Sequence, residues 1–268
     1  AYYEAVIDWF KKRHNWTIEK EFINFTPGVV PGINVIISAF TKPGDDVIIQ
    51  TPVYHRFAEL VKNNGCNVVE NPLKLENGYY TMDFDNLEKV ITRRTKLLIL
   101  CSPHNPVGRV WEKEELEKLG RICIENDILI VSDEIHSDIV YSPNKHIVFS
   151  TINEEFADRS IICTAPNKTF NIAGLKTANI IIQNEKLRNE FEIQLEKLCI
   201  KGGTIFGTIA QQTAYSKGEK WYQQLMEYLN GNVDYAVNFF ETRIPKIKVK
   251  KPEGTYLLWL DCSDLNMD

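Results

Sequence analysis

The sequence predicts an α/β protein in which a mostly parallel central sheet carries helices on both faces. Two runs and the segment between them decide this. Lys96 to Cys101 (KLLILC) and Ile128 to Ser132 (ILIVS) are apolar at consecutive positions, as strands covered on both faces must be. Between them, Glu112 to Asn126 sets Leu116, Leu119, Ile122 and Cys123 on one helical face. Strand, helix and strand thus follow in the order that builds a parallel pair.

The other elements follow in order. Residues 2 to 14 place Tyr3, Val6, Ile7 and Phe10 at helical spacing, and Lys11, Lys12 and Arg13 load the last turn in the sense the helix dipole favours. Phe22 to Thr26 reads as a short strand. It runs through Pro27-Gly28-Val29-Val30-Pro31-Gly32 into a helix containing Ile36, Ile37 and Phe40. A strand, a glycine turn and a helix N-terminus together present N–H groups to an anion, although ordinary βα connections share the pattern. Asp46 to Gln50 is a strand ended by Pro52, and Phe57, Leu60 and Val61 mark the next helix. Tyr54 stands between them, where an aromatic is more often a core residue than a functional one. Cys66 to Glu70 is a further strand, Gly78 to Thr81 is expected to continue it as an edge piece, and Phe84 to Ile91 is an amphipathic helix.

Chemistry gathers in the loops after the apolar strands. Ser102 to Arg109 (SPHNPVGR) has two prolines and a glycine, which rule out regular structure, and such loops are where open α/β sheets bind ligands. Asn105 there suits either a ligand donor or an Asx turn. After the second strand comes Asp133-Glu134-Ile135-His136-Ser137-Asp138, whose first carboxylate is poorly hydrated and needs a cation or strong donors to stay ionised. A third apolar run from Ser160 leads to Lys168. A lysine at the mouth of a buried strand loses hydration, which favours the free, nucleophilic amine. Lys176 adds a second cation beyond Ala173-Gly174-Leu175, and Gly174 is expected to let the backbone approach a bound group. Two lysines around one turn suit an aldehyde and a phosphate; a solvated loop lysine is the plain alternative. Ala178 to Gln183 follows as a strand, then helices at Glu185 to Ile200, Thr204 to Ser216 and Trp221 to Arg243, and strand-like runs at Lys246 to Lys250 and Tyr256 to Asp261.

The segment NKTFNIAGLK resembles the lysine segment of fold-type I enzymes dependent on pyridoxal 5′-phosphate (PLP), the class I/II aminotransferase superfamily. Within it, KTFNIAGL together with SDEIHSD most resembles the MalY/PatB branch, the cystathionine β-lyase-like carbon-sulfur lyases. The resemblance implies a PLP-dependent transferase-like large domain over residues 1–245, with 246–268 beginning a small C-terminal domain. It implies PLP as cofactor and Lys168 as its Schiff-base lysine. Asp133 would pair with the pyridine nitrogen, Asn105 would donate to the phenolic oxygen with His136 on the same side, and Tyr54 would stack on the ring. The backbone N–H groups of Val29 and Val30, with Lys176, would hold the phosphate. His104 and His146 are expected at the surface or behind the site, and His55 has no role.

The activity implied is β-elimination on a small amino-acid substrate, giving thiol, pyruvate and ammonia. An aminotransferase needs the same Lys168, Asp133, Asn105 and Tyr54, and a regulatory binding protein on the same fold is a rival of another class. The resemblance also implies a homodimer. The family's N-terminal arm and the small-domain arginine for the substrate carboxylate are not found in the sequence, so cofactor binding is expected and turnover by this chain is expected to be poor.

Composition agrees with a small-molecule enzyme. The chain has 268 residues, 44% hydrophobic, with a net charge of -5 and no basic block to follow a nucleic acid. No apolar run approaches the roughly 20 residues that span a bilayer, and the amphipathic start is unlike a signal peptide, so a cytoplasmic protein is expected. The six cysteines show no CxxC or zinc spacing and read as reduced core residues.

Overall fold

The computed structural model describes residues 1–200 and 202–265. In chain order the elements are α1 (Tyr2–His14), β1 (Ile23–Thr26), α2 (Val29–Phe40), β2 (Asp46–Ile49), α3 (Arg56–Asn63), β3 (Asn67–Glu70), β4 (Lys74–Glu76), β5 (Tyr79–Thr81), α4 (Phe84–Val90) and β6 (Thr95–Cys101). Then come α5 (Lys113–Glu125), β7 (Leu129–Asp133), α6 (Glu154–Asp158), β8 (Ser160–Thr164), β9 (Ala178–Ile181), α7 (Glu185–Lys197), α8 (Ile205–Lys217), α9 (Glu219–Arg243), β10 (Lys248–Val249) and β11 (Leu260–Asp261).

Seven strands form the central sheet in the order β1-β9-β8-β7-β6-β2-β3. From β3 through β8 all neighbours run parallel, while β9 is antiparallel to β8 and β1 antiparallel to β9. Successive side chains of a strand leave opposite faces, so each apolar run feeds two cores. In β6, Leu97 and Ile99 join one buried cluster and Leu98 and Leu100 the other. Helices α1 and α5 cover the Leu98 side with Trp9, Phe10, Leu116 and Leu119. The Leu97 side is covered by α2, α3 and α7, through Ile33, Ile36, Phe57, Val61 and Phe191. That two-sided burial is why the central strands carry no polar alternation.

Three expectations are corrected. Tyr79–Thr81 does not extend β3; it pairs antiparallel with β4 in a separate hairpin. The reason is Asn77-Gly78, both at positive φ (51° and 74°), the pair that a two-residue hairpin turn requires. A short helix, α6, was not expected, and the Asn153 side chain caps it by accepting from Phe156 N–H at 2.8 Å. Of the six free cysteines, Cys199 and Cys262 are exposed rather than in the core. Among the described residues no helix is long and apolar enough to cross a membrane, and no cluster of ligating side chains suits a metal ion. Residues 266–268 of the expected second unit lie outside the described residues.

Candidate active site

At the C-terminal ends of β6, β7 and β8, facing the N-terminus of α2, lies a cavity of about 200 Å³. Parallel strands place their C-terminal loops on one edge of the sheet, so loops 30 or more residues apart in sequence converge there. All eight site residues expected from the sequence line this cavity.

From α2 come Val29 and Val30, in the first turn, whose N–H groups have no helical acceptor. Gly28 precedes them at φ 134°, a conformation other residues rarely adopt, and Pro31 follows where its missing N–H costs nothing. Gly32 lets the helix seat closely: a Cβ there would lie 2.5 Å from Ile180 Cδ1 in β9. The result is a helix N-terminus open to an anion. Tyr54 follows the β2 strand, half-buried, its ring edge-on to Phe57 at 5.7 Å between centroids.

Asp133 ends β7 and is buried, yet among the described residues its carboxylate accepts one hydrogen bond, from Ile135 N–H at 3.2 Å. Burial pushes this carboxyl up to about 7, the Ile135 N–H pulls it down, the Glu134 carboxylate adds to the rise and the Lys168 charge opposes it. Beside it, His136 is buried with Nδ1 unpartnered, and its ring meets Tyr256 at 5.4 Å. Burial and the Lys168 charge lower it to about 4, so it is neutral near pH 7. Asn105 is held by its backbone N–H, which donates to Cys101 Sγ at 3.3 Å. Its side chain has no protein partner among the described residues.

Lys168 is half-buried in the turn after β8, and Lys176 is exposed at φ 52°. Neither ammonium makes an ion pair or a side-chain hydrogen bond among the described residues. A buried carboxylate without a cation, an orphaned imidazole nitrogen, a free helix N-terminus and two unpaired lysines thus share one small cavity. The donor set fits an aldehyde that also carries a phosphate and a basic ring nitrogen.

Of the two places expected for His104 and His146, the surface is the one they do not take: His104 is fully buried with Nε2 2.9 Å from the Pro52 carbonyl, and burial lowers it to about 4. His146 contacts buried Glu134 at 2.8 Å. Gly174 is exposed and does not line the cavity; Ala173 does.

Two arrangements were not foreseen. Arg109, in the Asn105 loop, is buried between Glu115 Oε2 at 2.8 Å and Glu253 Oε2 at 2.9 Å and donates to the Tyr80 carbonyl. Asp138 binds Thr169, the neighbour of Lys168. Glu253 lies 144 residues from Arg109, and no local pattern announces such a pair.

The model of aminotransferases of class I and II matches residues 1–268. The chain belongs to this family. It is 44% identical over 261 residues to cystathionine beta-lyase PatB of Bacillus subtilis, covering 97% of this chain and 67% of that protein. Among solved structures, cystalysin of Treponema denticola, which contains a pyridoxal 5′-phosphate cofactor, superposes with a TM-score of 0.98 at 42% identity, covering 100% of this chain and 68% of that one. The PLP-bound C-S lyase of Staphylococcus hominis gives 0.94 at 39% identity, covering 100% and 68%. The chain therefore spans about two thirds of the length of these relatives.

The Asp133 environment has a consequence for the cofactor-free chain. A carboxyl raised from 3.8 to about 7 costs the folded state nothing below pH 3.8 and its full penalty above pH 7. At about 1.4 kcal/mol per unit, Asp133→Asn is expected to stabilise the cofactor-free chain by roughly 4 kcal/mol at pH 8, with the gain shrinking toward pH 4. Urea unfolding of both proteins at pH 8 and pH 5 measures it; a gain that does not change with pH contradicts this account.

Proposed function

We propose that the chain is the PLP-binding part of a carbon-sulfur β-lyase, which converts an amino acid bearing a thioether at Cβ into a thiol, pyruvate and ammonia. The observation that carries the cofactor reading is buried, cation-free Asp133 sharing a cavity with unpaired Lys168. The 44% identity to a cystathionine β-lyase favours elimination over transamination. When bound, PLP supplies an electron-withdrawing ring that accepts the electron pair released at the substrate Cα.

The chain's own groups do the rest. Lys168 would hold the aldehyde carbon of the cofactor, and its free amine would be the group that takes the Cα proton. Asp133 would keep the ring nitrogen protonated, because a carboxylate in that buried position is stabilised by a cation. Asn105 would donate to the phenolic oxygen with neutral His136 beside it, and Tyr54 would lie against the ring. Val29 and Val30 N–H with Lys176 would hold the phosphate. Residues from 246 onward begin a second unit that belongs with the substrate side.

Elimination and transamination share the deprotonated Cα and part afterwards. With cystathionine and no keto acid, the full-length parent of this chain is expected to release homocysteine, pyruvate and ammonia over many turnovers. Arrest after one turnover, relieved only by a keto acid, makes it an aminotransferase instead.

A homodimer completes the reading. The first turns of α8 expose Ile205 (77%), Phe206 (77%) and Ile209 (57%), beside the Leu175 carbonyl to which Thr204 Oγ1 donates. An apolar face of that kind next to the lysine turn suits a second copy. Sedimentation at micromolar concentration should give a dimer that Phe206→Asp converts to monomer; a wild-type monomer refutes it.

A further inference from the structure

The six-residue segment from Asp133 to Asp138 has two functional ends. Asp133 and His136 face the cavity. Asp138 points away from it and is buried, with three side-chain donors on its carboxylate, one of them shared between both oxygens. Trp9 Nε1 lies 3.2 Å from each oxygen, His14 Nε2 is 3.3 Å from Oδ1, and Thr169 Oγ1 donates to Oδ2 at 2.8 Å. The Asp138 carbonyl also accepts from Tyr222 OH at 2.7 Å. One carboxylate therefore joins α1 to the turn that carries Lys168, while its backbone holds α9.

The segment between its two ends is stiff. Ser137 N–H donates to the Glu134 carbonyl at 3.0 Å and Ile139 N–H to the His136 carbonyl at 2.9 Å. Glu134 is fixed by Ser132 Oγ at 2.9 Å, Phe149 N–H at 2.9 Å and His146 at 2.8 Å. Phe170 N–H to the Pro166 carbonyl at 2.8 Å and Ile172 N–H to the Asn167 carbonyl at 3.1 Å close the lysine turn upon itself, and the Phe170 ring packs against Trp9 and Trp221, each at 5.4 Å between centroids. Thr169, 1% exposed, is the side chain that hydrogen-bonds the turn to the Asp133–Asp138 segment among the described residues.

We propose that Asp138 is a positioning residue: through Thr169 it sets the place of Lys168 relative to Asp133, so that the amine and the ring-nitrogen partner address one cofactor at once. This rests on the PLP reading above. A carboxylate suits the task because it is acceptor-only and can take all of these donors together, which a neutral amide cannot. The lysine needs such help because its long side chain has no hydrogen bond of its own, and covalent attachment requires the amine to be held near the carbonyl carbon.

The test compares the unsubstituted chain with Thr169→Val, Thr169→Ala and Thr169→Ser. Total bound PLP is measured by equilibrium dialysis, and the share attached to Lys168 by borohydride reduction and peptide mass. Removing the hydroxyl is expected to lower the ratio of attached to merely bound PLP by about tenfold, since one hydrogen bond to a charged acceptor is lost, and Thr169→Ser should restore it. A purely structural Thr169 would lower the unfolding midpoint in the valine and alanine variants and leave that ratio unchanged, which overturns the proposal. The alanine variant serves where valine does not fold. If the unsubstituted chain binds no PLP, or attaches it to another lysine, both readings fall; normal attachment that the valine and alanine variants do not alter removes this one alone.

Discussion

Lys168→Ala is expected to abolish covalent retention of PLP and to reduce turnover of the full-length parent by at least about 10³-fold, because the proposed function asks one amine both to hold the cofactor and to move the Cα proton. The fold should be indifferent to the change. Lys168 is half-buried and its ammonium has no ion pair or hydrogen bond among the described residues, so unfolding free energy should move by no more than about 0.5 kcal/mol. The pairing of these two results is what makes the experiment informative. Dialysis after borohydride treatment should leave wild-type protein labelled and the variant unlabelled, with superimposable urea curves. Label appearing on the variant would move the covalent site to a different lysine, and an unfolded variant would mean that Lys168 has a structural part invisible in its contacts.

Arg109→Ala should have the largest effect on stability. Its side chain is 5% exposed and its guanidinium sits between Glu115 and Glu253, with Tyr79 at 4.2 Å and Trp111 at 4.8 Å from it across their ring faces. Removing it leaves two largely buried carboxylates turned toward the same space. Breaking a buried ion pair from one side in this way costs about 3 to 5 kcal/mol, more than the pair itself contributes, because the remaining charges lose their counterion. Arg109→Lys is expected to recover little, since a single ammonium cannot reproduce the fork that serves Glu115, Glu253 and the Tyr80 carbonyl together. Urea midpoints read both variants; a loss under about 1 kcal/mol for alanine would mean that the carboxylates find water or other donors.

Much of this protein is determined locally. The apolar runs of β6, β7 and β8 announce strands buried on both faces, and a chain alternating such runs with amphipathic helices has few alternatives to a parallel sheet with its loops at one edge. Lys168, Asp133 and Asn105 could be found in sequence because each follows an apolar strand, where a polar residue needs a reason. The Asn77-Gly78 turn was also present in the sequence as a hairpin signal, and reading 78–81 as a continuation of β3 overlooked it.

What only the tertiary structure decided is which residues share a charge. Strand order puts Cys101 beside Asp133 and Asp133 beside Cys163, and so brings the loops after three strands to one cavity. Burial then sets the protonation of Asp133, His136 and His104, which composition cannot reveal because desolvation depends on what packs around a group. Arg109 meets Glu253 and Asp138 meets Trp9 across 144 and 129 residues of chain. Helical and strand periodicity report which face of an element is apolar. They carry no record of which distant carboxylate that face will meet, and that is fixed only when both cores close.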